Sequence, residues 1–271
     1  MWSSVALAAA LSLAPAQPGG LQLTNVRLTV GELGPPRASA RVLPGEVLFI
    51  AYDIDGLTID KSGVVKYTMG MEVQDAAGRP VFKQEPQELP ETLPLGGNKL
   101  PARVFITIGL DQPAGMYTCK VTITDTVNKA SNNLSVKFEV LPKDFGIVQV
   151  FTSYDPEGKF VAPTAGQVGQ MLYIHHSVPD FKRDPKTKQP DVEFKYSIVD
   201  EKGQPTLPQP FVTRQDAMSP FKIDEKAGMF ARFFPVFLTR PGKFTVKITA
   251  TDKVGNKTAT YDLPITVTQG Q

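Results

Sequence analysis

From residue 21 onward, apolar and polar residues alternate with a period of two over many short stretches. Tyr117, Cys119, Val121 and Ile123 are interleaved with Thr118, Lys120, Thr122 and Thr124. Successive side chains of a strand point to opposite faces, so this pattern predicts a strand with one buried face and one wet face. Phe244, Val246, Ile248 and Ala250 alternate in the same way, as do Leu134, Val136, Phe138 and Val140, and then Tyr261, Leu263, Ile265 and Val267. Pro264 falls on an outward position, where a missing N–H is tolerable. Two more strands are predicted at Val65, Tyr67, Met69, Met71, Val73 and at Val192, Phe194, Tyr196, Ile198. No window beyond residue 20 keeps helical spacing for three turns, so the fold is expected to be all-β.

The alternation is duplicated. Pro113 to Asp125 recurs 127 residues later as Arg240 to Asp252, and the match runs without a gap to Val140 and Val267. Upstream, Asp75-Ala76-Ala77-Gly78-Arg79-Pro80 matches Asp200-Glu201-Lys202-Gly203-Gln204-Pro205; Asp first and Gly fourth is a type I turn closing a hairpin. A weaker third block sets Pro44-Gly45-Glu46-Val47 against Gly166-Gln167-Val168. Blocks in constant order mean a duplicated unit. The expected organisation is a leader over 1–16, one sandwich over 21–141 and a second over 145–268. The linker Leu141-Pro142-Lys143-Asp144 is short and holds a proline, which predicts limited freedom between the two.

The stretch from Asp111 to Cys119, with a turn ending in Gly115, then Tyr117, one residue and a small buried residue, resembles the penultimate strand of immunoglobulin-like and fibronectin type III-like domains. The resemblance spans residues 21 to 267 and implies two tandem antiparallel immunoglobulin-like β-sandwiches of the broad bacterial kind. It also implies structural roles for Gly115, Tyr117, Cys119, Gly242, Phe244 and Val246. In that family the tyrosine hydroxyl bonds back to nearby backbone; Tyr117 is able to, and Phe244 lacks the hydroxyl. Antibody-type domains are a poorer match. Cys119 has no cysteine partner, and the sole tryptophan is Trp2.

Composition narrows the function. Val5 to Leu13 is an apolar run too short to span a bilayer, followed by Ala14-Pro15-Ala16, small residues at the −3 and −1 positions of a cleavage site. The run lacks the usual basic residues before it. Export is the expectation, to a periplasmic or extracellular place, with no transmembrane segment in the mature chain. Up to Leu141 there are 12 Lys+Arg against 13 Asp+Glu, and beyond it 17 against 14. Neither half has the concentrated positive charge of a nucleic-acid binder.

Catalytic equipment is sparse. His175 and His176 are the only histidines, and as strand neighbours they face opposite ways and do not chelate one metal together. One is expected to be partly buried and the other exposed. No nucleophile-elbow motif accompanies them. Asp53, Asp55 and Asp60 invite a calcium reading, but a calcium loop's spaced ligands are absent, and Ile174 and His176 are set at the matching places of the second copy. No enzyme activity, cofactor or metal is expected. The contact candidates are the basic loop of Lys182 and Arg183, and Phe230, Phe233, Phe234 and Phe237, which put apolar side chains on both faces of one strand. A third surface is the outward Thr118, Lys120, Thr122, Thr124 ladder, repeated as Thr245, Lys247, Thr249, Thr251. The chain reads as an exported, non-catalytic binding or structural protein with a protein or glycan partner; a carbohydrate-binding accessory and a periplasmic chaperone-like protein are the alternatives.

Overall fold

The computed structural model describes residues 11–13 and 20–270. The expected leader lies outside the described residues apart from Leu11–Leu13, whose backbone forms β1. The first half continues with β2 (Gln22–Thr29), β3 (Arg41–Val42), β4 (Val47–Asp55), β5 (Val64–Gln74), β6 (Pro80–Thr92), β7 (Lys99–Thr107), β8 (Gly115–Asp125) and β9 (Ser131–Val140). The second half has β10 (Val148–Ser153), β11 (Val161–Ala162), β12 (Ala165–Gln167), β13 (Met171–Pro179), β14 (Val192–Asp200), β15 (Phe211–Gln215), β16 (Met229–Phe237), β17 (Gly242–Asp252) and β18 (Lys257–Thr268). The described residues contain no helix.

The strands form four sheets. One runs β1-β9-β8-β5-β6, with β3 parallel to β9, and it faces β2-β4-β7. The other pair is β12-β18-β17-β14-β15, with β12 parallel to β18, facing β11-β10-β13-β16. The strand order β3-β9-β8-β5-β6 is thus repeated as β12-β18-β17-β14-β15. Each pair encloses its own apolar core. Leu48, Ile50, Val121, Leu134 and Phe138 centre the first, and Ile174, Phe194, Val246, Ile248 and Leu263 the second. Most inward residues of the alternation are buried, with Met69, Ile198, Phe244 and Tyr261 partly so, and Cys119 and Val246 are fully enclosed.

Local devices recur as well. The Asp75 and Asp200 carboxylates each accept two backbone N–H bonds across their turns, and Gly78 and Gly203 close these turns at φ 77° and 76°. Gly115 and Gly242 open β8 and β17 at φ 150° and 143°, a backbone region that side chains rarely adopt. Tyr117 Oη donates to the Pro113 carbonyl at 2.9 Å, while Phe244 is covered instead by the Arg240 guanidinium, 4.8 Å above its ring.

The third repeat block needs a shift of three residues. Gly45 N–H bonds Ile108 O and Gly169 N–H bonds Leu238 O, at φ 94° and 93°. Gly45-Glu46-Val47 therefore matches Gly169-Gln170-Met171, not Gly166-Gln167-Val168. The counterparts of Asp53 and Asp55 are then Ser177 and Pro179, in place of Ile174 and His176.

β6 is exposed along most of its 13 residues. Pro80, Pro86 and Pro90, with Lys83, Glu85 and Glu88, blunt this free edge against pairing with other chains.

Candidate functional site

The two halves meet at a polar clasp. Glu46 is 5% exposed and lies between them. Its Oε1 accepts the N–H of Val47 at 3.0 Å and of Gln149 at 2.8 Å, and its Oε2 pairs with Arg37 at 3.2 Å. Gln149 holds φ 53°, so that its side-chain N–H bonds Gly45 O while its amide oxygen accepts from Ser177. Burial pushes the nearby Tyr261 phenol up to about 12, Arg37 acting against the rise and Glu46 with it. Lys257 pairs with Asp144 of the linker, and Val30 of the first half joins the second core. Gly31 lies so close to Phe151 that a Cβ there would meet the Phe151 Cβ at 2.6 Å.

Beside the clasp a cleft of about 240 Å³ opens, lined by Glu32, Glu46, Phe49, Gln149, Phe151 and Gly158. Aromatic rings extend from it in both directions. On the first half, Phe49 of β4 packs on Phe105 of β7 with centroids 5.9 Å apart. On the second, Phe151 of β10 stacks on His175 of β13 at 4.6 Å and 9°, His175 meets Phe233 of β16 at 5.9 Å, and Phe233 meets Tyr173 edge-on at 5.6 Å. The second-half run is continuous because β10, β13 and β16 are neighbours, with His175 directly opposite both Phe151 and Phe233. Phe105 is 58% exposed and Phe233 47%. Arg103 and Glu32 pair at 3.2 Å on the same flank.

His175 itself is not free to act as a base. It is 9% exposed. The fully buried Ser153 hydroxyl donates to the Asp155 carbonyl at 2.5 Å, so its oxygen accepts from His175 Nε2, 2.7 Å away. That proton arrangement is the reverse of a serine nucleophile handing its proton to an imidazole. Burial holds the His175 pKa below the usual histidine range against an opposing pull from Asp155. His176 faces the other way, into the second core, and is 1% exposed. Both histidines are therefore buried, and the expectation of one exposed ring is corrected. The loop of residues 155–160 and Phe151 cover the outward one, a contact no single strand reveals.

β16 splits its phenylalanines. Phe230 is buried against Phe181 and Phe194, and Phe234 stacks on Tyr196 at 4.4 Å. Only Phe233 and Phe237 point outward, Phe237 being 68% exposed. Arg183 is occupied structurally: its guanidinium bonds the Lys188, Asp224 and Ala227 carbonyls and lies over Phe181. Lys182 is exposed, with its backbone N–H on Asp252. The structure does not bring this loop together with Phe233 and Phe237. At the acidic end of β4, the Lys99 ammonium lies 3.7 Å from Asp53 and 3.3 Å from Asp55, and Asp60 is engaged in its own turn. No cluster of three metal-ligating side chains occurs among the described residues. The Thr and Lys ladders of β8 and β17 lie on outward faces. Burial pushes the Cys119 thiol up to about 12, which leaves it unreactive.

Phe49, Phe105 and Phe151 escaped the reading of the sequence. The available signal was the alternation Arg103, Phe105, Thr107 against Ala102, Val104, Ile106, which places a phenylalanine on an outward face.

No family model matches the chain, and no curated protein matches it either. Among solved structures, the Pseudomonas fluorescens alkylpurine DNA glycosylase AlkC bound to DNA with an abasic site analog is similar at 11% identity and a TM-score of 0.31, over 46% of this chain. Red sea bream transglutaminase is similar at 8% identity and a TM-score of 0.28, over 94% of it. This chain covers 31% and 32% of those two proteins, and likenesses this weak carry no argument about fold or function. No helix among the described residues is long and apolar enough to cross a membrane.

Proposed function

We propose that this chain is an exported, non-catalytic binding protein made of two immunoglobulin-like sandwiches in tandem, and that it takes its partner on the aromatic run at their junction. The repeated strand order, the Tyr117 bond to Pro113 and the small residues after the apolar leader support the architecture and the export. The single observation behind the site is a pair of ring clusters, Phe105–Phe49 and Phe151–His175–Phe233–Tyr173, that flank one cleft beside the clasp, with Phe105 and Phe233 about half exposed. Rigid aromatic rings give large contact area at little entropic cost, and exposed apolar patches of this kind mark interaction surfaces. A protein partner is the first reading. A glycan is the second, favoured by the Glu32–Arg103 pair, which adds polar hydrogen-bonding groups beside rings that can stack on sugar faces.

A photo-crosslinking phenylalanine analogue at position 233 is the direct test, with a second protein carrying it at Lys120 on the Thr/Lys ladder. With the extracytoplasmic fraction of the source cell, position 233 should give a discrete adduct and position 120 none. Adducts only from position 120 would move the surface to β8, and an adduct from neither would remove the binding reading.

A further inference from the structure

The duplication supplies an internal comparison at the open end of each sandwich. In the first, a cavity of about 280 Å³ reaches between the sheets to Met71, Val73, Tyr117 and Phe138. Its mouth lies among Val81, Phe82 and Phe105, which are 50%, 49% and 58% exposed. In the second, the corresponding space is about 80 Å³. Strand registers fix the correspondence: Val73 faces Cys119 as Ile198 faces Val246, and Tyr117 faces Phe138 as Phe244 faces Ile265. Through the Gly45–Ile108 and Gly169–Leu238 bonds, Thr107 corresponds to Phe237. The second space is lined by Phe237 where the first has Thr107, and Arg240 lies over Phe244 at its edge.

The geometry points to a small-molecule site in the first sandwich, taking a neutral two-ring aromatic molecule that carries one N–H or O–H donor. An apolar cavity of about 150 Å³ accepts one benzene ring, so a space of about 280 Å³ suits roughly two. No ionised side chain among the described residues lines it, which excludes a charged ligand. Its polar corner is Gln112. The Gln112 amide N–H donates to Tyr117 Oη, and Tyr117 Oη donates onward to Pro113 O. The Gln112 amide oxygen has no hydrogen-bond donor among the described residues, which assigns the ligand the donor role. The site shares no lining residue with the junction cleft and meets the aromatic run only at Phe105, and it stands whether or not that surface binds a partner.

The test is a titration of methyl-labelled protein with 2-naphthol, followed by NMR. Saturable shifts at Met71, Val73 and Val140 are expected. Naphthalene, lacking the donor, should bind several-fold more weakly, and 2-naphthoate should not bind at all. Thr107→Phe copies the residue of the closed sandwich at an exposed position and should weaken 2-naphthol at least tenfold with an unchanged thermal midpoint. Phe82→Ala at the rim should weaken it less. Non-saturable shifts, shifts centred elsewhere, or equal affinity in Thr107→Phe would overturn the site.

Discussion

Asp125 and Asp252 perform the same task in the two halves of the chain. Asp125 accepts the N–H of Thr58 from across the sandwich at 2.6 Å, and those of Val127 and Asn128 at 2.7 and 3.3 Å. Asp252 accepts the N–H of Lys182 at 2.8 Å, and those of Val254 and Gly255 at 3.0 and 2.9 Å. Each ties the turn after a central strand to the loop between two others, and both are fully buried. Replacement by Asn keeps the shape but turns an acceptor into a donor that faces N–H groups. Asp125→Asn and Asp252→Asn should each cost about 2–3 kcal/mol, and the double variant should lose close to the sum because the cores are separate. Urea denaturation of the four proteins checks this, and a cost under about 0.5 kcal/mol for either would show the bonds to be dispensable.

The sign of the acid response at Asp125 follows from the same contacts. Burial raises its pKa, but the donors from Thr58, Val127 and Asn128 outweigh it and the net shift is downward. A carboxylate depressed in the fold stabilises above its unfolded pKa of about 3.9 and loses that contribution as pH falls through the lower folded value. Stability should therefore drop below about pH 4, and Asp125→Asn should flatten that part of the curve.

His176 acts in a higher window. Its ring lies edge-on to Phe194 and Tyr196, Nε2 is 3.3 Å from Tyr196 Oη, and Nδ1 has no hydrogen-bond partner among the described residues. Burial, then Arg232, then His175 bring its pKa down to about 3. The unfolded chain takes up a proton below about pH 6.5, and the fold refuses it until far lower. Stability is thus complete above about pH 6.5 and erodes as pH falls toward 3. Between pH 7.5 and 5 the loss from this residue should be about 2 kcal/mol. His175, also depressed, adds in the same direction. His176→Phe should remove about half or more of the pH dependence in that range and match or exceed the parent at pH 7.5, since an unpartnered buried ring nitrogen is gone. An unchanged slope in denaturation at the two pH values would refute it.

Much of the fold was legible because the alternation is strict wherever one face is buried: Val65 to Val73, Tyr117 to Ile123 and Leu134 to Val140 all lie as their spacing requires. β6 was not, because it is wet on both faces and shows no period. The match of Gly45 slipped by three residues because its counterpart, Gly169, is identified by backbone angle and a bond to Leu238, properties a sequence does not display. The site was the least legible part. Phe49, Phe105, Phe151 and His175 come from four strands in both halves, and their proximity depends on how Glu46 and Gln149 join those halves.

The Tyr117 bond isolates one contribution of the repeated corner. Tyr117→Phe removes a hydroxyl that donates to Pro113 O and accepts from Gln112, at a cost of about 1–2 kcal/mol. Phe244→Tyr should bring no matching gain, because Thr239 stands where Gln112 donates in the first corner and Arg240 already covers the ring. An equal and opposite effect at 244 would show that the two corners are interchangeable after all.

The junction offers the most exposed test of rigidity. Glu46→Ala strips partners from the Gln149 N–H, the Val47 N–H and the Arg37 guanidinium together. Leaving a buried charge and two donors unpaired costs about 3–5 kcal/mol, nearly all of it at the interface and little within either core. Calorimetry should therefore show one transition in the parent resolving into two in the variant, and small-angle scattering should report a larger radius of gyration. Glu46→Gln, whose amide oxygen keeps the acceptor for both N–H groups and loses only the Arg37 ion pair, should fall between the two. A single, uniformly lowered transition in Glu46→Ala would mean that the sandwiches are coupled through Val30 and the linker instead, and the aromatic run would then need another explanation for its fixed geometry.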